Sequence, residues 1–170
     1  MISRTLFTSA LLTCLTIPAL AKVQTNAAGE YSKHFAPLKG LSVAVAAAMP
    51  PEHWNYRPHP DSMNFGALMS HIATTNYQFC AGLKDTSPPA VTAPSDKAGI
   101  VKLLSDSFDY CSGMIDTLTK DQLEQVHNSP DGLLTGSEIL LAMYVHVAHH
   151  RGQAEIYLRA NSIVPPGYRI

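Results

Sequence analysis

The sequence predicts an all-α fold, an antiparallel four-helix bundle, on three observations. Apolar residues recur at helical spacing in four stretches, Pro-rich segments separate them, and no alternating Val/Ile/Thr run suggests a sheet. The 170 residues are 46% apolar and 15% charged, which suits one domain with a sizeable core. Twelve Lys+Arg against 13 Asp+Glu leave no basic excess to neutralise phosphates, which argues against a nucleic-acid binder. The same balance does not suit a disordered acidic tail.

In chain order, residues 1–21 read as a secretory signal peptide. Arg4 charges the start, Leu6 to Ile17 form an apolar run, and Ala19-Leu20-Ala21 is a small-x-small cleavage site. The run is shorter than the roughly 20 residues a membrane span needs, and polar residues interrupt it. Residues 22–170 then form the domain, exported to the periplasm or secreted, with no membrane contact after cleavage. The first helix runs from Glu30 to Ala48, with Pro37 a kink or restart and Pro50-Pro51 its stop. Asp61 or Ser62 caps a second helix running to about Leu83, and a Pro-rich link spans Ser87 to Pro94. Ser95 or Asp96 caps a third, carrying apolar residues from Ile100 to Leu118. Thr135 caps a fourth, from about Gly136 to Asn161, closed by Pro165-Pro166. Trp54 and Tyr56, beside Arg57, are expected to pin the irregular Pro50 to Pro60 link onto the bundle.

Cys14 leaves with the signal, and an oxidising compartment permits a bridge between Cys80 and Cys111. On consecutive antiparallel helices, however, Cys111 would lie on the order of 20 Å from Cys80 along the axis. A disulfide needs Cα atoms within about 7 Å, so both are read as buried free thiols.

Eight histidines are the unusual feature. His146 and His150 stand at i and i+4 on the fourth helix, with Cβ atoms about 5 to 6 Å apart, so two imidazoles can converge on one ion. Ile139, Met143, Gln153 and Tyr157 share their face, and Arg151 and Glu155 point the other way, toward water. Val147 follows His146 where a zincin metalloprotease has Glu, and the Glu-x-x-His pairs of a di-iron bundle are missing. The second helix offers His71 on a face with Asn64, Ala67, Thr75 and Gln78, while Cys80 points away. His149, at i+3 from His146, is the alternative to His150. Gln153 and Tyr157 either bind substrate, orient a ligand or pack. His34 is a surface residue or a pocket base, and His53, His59 and His127 are expected to be solvated.

Three blocks carry a family resemblance: Met49-Pro50-Pro51-Glu52-His53-Trp54-Asn55-Tyr56-Arg57-Pro58, Asn64 through Ala73, and His146-Val147-Ala148-His149-His150-Arg151-Gly152-Gln153. In this order they resemble the DinB/YfiT-like family over nearly all of the mature chain. The resemblance implies a four-helix bundle with a divalent ion held by three histidines, one from the second helix and two from the last. Carried over by position, the metal ligands are His71, His146 and His150. It also implies a homodimer. Most relatives look cytoplasmic, so the signal segment is a departure.

Three neutral imidazoles leave an ion with open positions, the arrangement of a catalytic site. The leading expectation is a metal-dependent enzyme, hydrolase-like, acting through metal-activated water on a small molecule that the sequence does not name. Imidazole suits Zn, Ni, Cu and Fe alike. Catalytic side chains beyond the ligands are not assigned. Similar bundles include metal-dependent thiol S-transferases, a second reading that export disfavours. A non-catalytic metal-binding or stress-associated protein is the third.

Overall fold

The computed structural model describes residues 27–168, so the segment read as a signal peptide lies outside the described residues. Four long helices form the bundle: α1 (Ala27–Ala48), α2 (Phe65–Gly82), α3 (Lys97–Ile115) and α5 (Gly136–Ala160), with a short α4 (Lys120–Glu124) before the last. Helix α1 passes unbroken through Pro37. Asn64, rather than Asp61 or Ser62, caps α2, its Oδ1 accepting from the Ala67 N–H at 2.7 Å. Asp96 caps α3 and Thr135 caps α5, as expected. At α5 the Glu138 carboxylate accepts in return from the Thr135 N–H, a capping box.

The helix directions differ from the expected antiparallel order. Asn76 donates to Ser107 Oγ at 3.1 Å, Tyr77 packs on Tyr110, and Cys80 meets Cys111, so positions along α2 and α3 rise together. These two consecutive helices are parallel. Helix α1 is antiparallel to α3, because Ser32 donates to Asp116 while Lys97 reaches the Ala47 carbonyl. Helix α5 is antiparallel to α2, with Tyr157 against Phe65 and Met143 against Cys80. The order is therefore up, down, down, up, with α1 and α2 diagonally opposed. The fourteen residues between α2 and α3 return the chain along the bundle. Extended at about 3.3 Å per residue they outreach the roughly 24 Å needed, and Pro88, Pro89 and Pro94 favour extension.

Parallel helices correct the reading of the cysteines. Cys80 and Cys111 are bridged, with Cα atoms 5.3 Å apart, in a fully buried setting. The bridge packs on Met143, whose Sδ lies 3.2 Å from Cys80 Sγ. Around it the core draws on all four long helices, with Phe35, Phe79, Phe108, Ile72, Leu104 and Ile139 buried.

The second correction is a small sheet. Strands β1 (Val126–Ser129) and β2 (Gly132–Thr135) form an antiparallel hairpin, pairing Val126 with Thr135 and Ser129 with Gly132. Ser129-Pro130-Asp131-Gly132 makes the turn: Pro suits its second position, and Gly132 adopts φ 104, a left-handed value that favours glycine. The strand alternation puts His127 on the inner face. It is buried, not solvated, with Nδ1 2.9 Å from Asp85 Oδ2 and Nε2 2.8 Å from the Gln122 carbonyl. His127 thereby ties the hairpin and α4 to the start of the return link. Gly136 opens α5 against the Gln122 carbonyl with no room for a Cβ.

Candidate metal centre

The α2 and α5 faces that carry His71, His146 and His150 meet halfway along the bundle. Antiparallel packing sets Phe79 beside His146 at one end of this contact and Phe65 beside Tyr157 at the other. One nitrogen from each of the three histidines lies within 4.8 Å of the other two. His146 Nε2 is 3.0 Å from His71 Nε2, and the His146 and His150 rings are 4.5 Å apart. All three rings are half-buried.

Gln153, one turn beyond the pair, sets the tautomers. His150 Nδ1–H donates to Gln153 Oε1 at 2.8 Å, which leaves His150 Nε2 as a lone pair. The other end of the amide donates to His149 Nε2 at 3.0 Å. His149 is exposed and lies outside the three-nitrogen cluster. The face reading thus separates His150 from its alternative.

The donor set fits a divalent cation. Two imidazole Nε2 atoms facing each other leave at least one lone pair directed inward, and the buried His146 Nδ1 has no partner that would favour a second proton. Burial, and then the neighbouring His150, His71 and His149, push the His146 pKa down to about 4. Burial also lowers His71 and His150, the latter opposed by its bond to Gln153. Neutral imidazole is the form that ligates.

A pH dependence follows for the metal-free protein. An unfolded histidine titrates near about 6.5. Between that value and about 4, the unfolded chain binds more protons at residue 146 than the folded one. The stability that depends on the neutral form of His146 is therefore full above about pH 6.5, declines as pH falls and levels off below about 4. Urea titrations across this range should show the midpoint falling with acid, and a shallower fall in His146→Ala.

The other positions divide sharply. Tyr157 is buried and donates to the Met63 carbonyl at 3.0 Å, so it packs the bundle end. Trp54 is buried as expected, donating to the Met49 carbonyl at 2.9 Å and packing on Phe65. His34 and His59 are exposed and His53 is half-buried. Arg151 does not face water: it is buried, paired with Glu155 and covered by the Tyr168 ring 4.5 Å away. The tail after α5 folds back over this side of the helix, which no pattern within α5 reveals.

A family model of the DinB superfamily matches residues 40–154. The chain is 22% identical over 131 residues to the uncharacterized protein YjoA of Bacillus subtilis (strain 168), across 74% of this chain and 85% of YjoA. The crystal structure of that DinB-like YjoA superposes with a TM-score of 0.72 at 23% identity, covering 82% of this chain and 98% of YjoA. A DinB-like protein from Bacillus cereus gives 0.73 at 15%, covering 83% and 97%. YfiT from Bacillus subtilis, described as a probable metal-dependent hydrolase with an unusual four-helix bundle topology, gives 0.64 at 14%, covering 87% and 93%. The matched residues hold His71 and His146 with His150 on their two helices, and the up, down, down, up bundle is the shared fold. The chain belongs to the DinB superfamily.

Proposed function

We propose that this protein is an exported hydrolase dependent on a divalent metal ion held by His71, His146 and His150. The convergence of three imidazole nitrogens within 4.8 Å, from two helices, carries this reading. The hydrolase description of YfiT, a protein of similar fold, supports it. The buried disulfide suits an oxidising compartment and supports export of residues 22–170. Such an ion, with positions left open by three neutral ligands, lowers the pKa of coordinated water and polarises a substrate oxygen. Zn, Ni and Fe all suit the donors.

The chain's own residues narrow the substrate. Helix α2 has no Asp, Glu, Lys or Arg, and on α5 Glu138 alone precedes Arg151, which is turned away and buried. Neither helix that carries the histidines therefore places a fixed cation to clamp a phosphate beside them, which favours an uncharged ester or amide. Ala67 and Gln78 on α2 and His149 and Gln153 on α5 are exposed around the cluster and form its solvent rim. His149, held by Gln153, is the side chain placed to pass a proton between this rim and solvent.

The test is metal analysis of untagged protein followed by assay of the loaded form on ester, amide and lactone panels. Turnover lost in His150→Ala supports the reading; a fully loaded protein inert across the panels overturns it. Gln153→Leu should keep the fold and weaken metal binding by about 10- to 100-fold, because His150 loses its acceptor. Competition with a chelating dye checks this.

A further inference from the structure

Two polar groups at the contact between α2 and α5 make no hydrogen bond among the described residues. One is His146 Nδ1, which is buried. The other is the hydroxyl of Thr75, a residue only 7% exposed. Its neighbour Thr74, by contrast, donates to the Ser70 and His71 carbonyls. The His146 ring centroid lies 4.9 Å from that of His71 and 6.0 Å from that of Phe79. Those two residues are eight apart on α2, a rise of about 12 Å, so the His146 ring lies over the turn between them. Thr75 is the midpoint of that turn, four residues from each, and its Cβ points between theirs, about 40° around the helix from either. The hydroxyl and the orphaned nitrogen therefore meet at one place in the contact.

A histidine that ligates a metal through one nitrogen donates from the other, which fixes its ring and its tautomer. His150 has this support in Gln153. His146 turns Nε2 toward His71 Nε2, 3.0 Å away, and has no such support at Nδ1. The histidines one turn further along α5, His149 and His150, are both engaged by Gln153. Resting on the three-histidine reading above, we propose that Thr75 is the positioning residue for His146, its Oγ1 accepting from Nδ1–H when Nε2 serves as the ligand. In that tautomer Nδ1 carries the proton of the neutral ring, and a buried N–H without an acceptor is costly. A helical threonine populates two χ1 wells, so one rotamer change turns the hydroxyl to the ring and leaves both backbones in place.

Zinc binding to the untagged protein, read by competition with a chelating dye, tests this. Thr75→Val keeps the shape of the side chain and removes the hydroxyl, so affinity should fall about 10- to 100-fold, whereas Thr75→Ser should stay within about 3-fold of the parent. Without zinc, Thr75→Val should melt no lower than the parent, because the hydroxyl it removes is unpaired. A residue that only packs would behave the other way, lowering the zinc-free melting point and sparing the affinity. Nitrogen-edited spectra of the zinc-loaded parent should show a slowly exchanging His146 Nδ1–H that is lost in Thr75→Val. Parent-like affinity in Thr75→Val overturns the proposal and leaves the three-histidine site standing. Equal losses in the valine and serine variants overturn it too. A parent that takes up no zinc overturns the site itself, and the role of Thr75 with it.

Discussion

His146→Ala, purified without an affinity tag, is expected to lose the proposed divalent ion and keep its helical spectrum. Of the three proposed ligands, His146 is central: its Nε2 lies 3.0 Å from His71 Nε2, and its ring packs 4.5 Å from that of His150. Removing a residue that only orients a ligand costs about 10- to 100-fold in metal affinity, so removing a ligand should exceed about 100-fold. The fold should survive. The side chain is half-buried, and its Nδ1 is a buried polar atom without a partner, so truncation removes a desolvated group along with its packing. The net change in the metal-free protein should stay within about 1 to 2 kcal/mol. Metal titration followed by thermal unfolding separates the two effects. The parent should gain stability with added ion by mass action, and His71→Ala, His146→Ala and His150→Ala should each show almost none of that gain. A full thermal response in any one variant would remove that residue from the site.

Breaking the Cys80–Cys111 bridge has the largest expected effect on the fold. The two residues are 31 apart in sequence, and opening a loop of that size restores chain entropy to the unfolded state worth about 3 to 4 kcal/mol. At about 2 to 4 °C per kcal/mol for a domain of this size, Cys80→Ser with Cys111→Ser should melt on the order of 10 °C below the parent. Both sulfurs are buried, and two hydroxyls in their place leave polar groups against Met143, which adds to the loss. Reduction under mild denaturant should give a similar deficit without substitution. Metal affinity should change little, because the bridge joins α2 to α3 whereas the histidines lie between α2 and α5. A coupled loss of both would mean that the bridge also sets the position of α2 against α5.

Much of the site was legible in the residues because it depends on local geometry. His146 and His150 share a face at i and i+4 in any α-helix, and the family blocks supplied His71 from the second helix. The caps at Asp96 and Thr135 follow from side chains that reach backbone N–H groups three residues on. Gln153 was visible on the ligand face, but its two-ended bond to His150 and His149 needed rotamers. The hairpin carried a signal in Ser129-Pro130-Asp131-Gly132, a turn sequence between two four-residue strands too short for alternation to stand out.

Periodicity and capping thus determined, from the sequence by itself, that four amphipathic helices form, where the third and the last begin, and that histidines of two helices have faces able to meet. Only the tertiary structure decided the direction of each helix, because a fourteen-residue link is long enough either to turn back or to run the length of the bundle. That choice made α2 parallel to α3 and brought Cys80 to 5.3 Å from Cys111 between Cα atoms. It also decided which polar groups are covered. His127 is buried by Asp85 across the hairpin and Arg151 by Tyr168 of the returning tail, contacts between segments that share no local pattern.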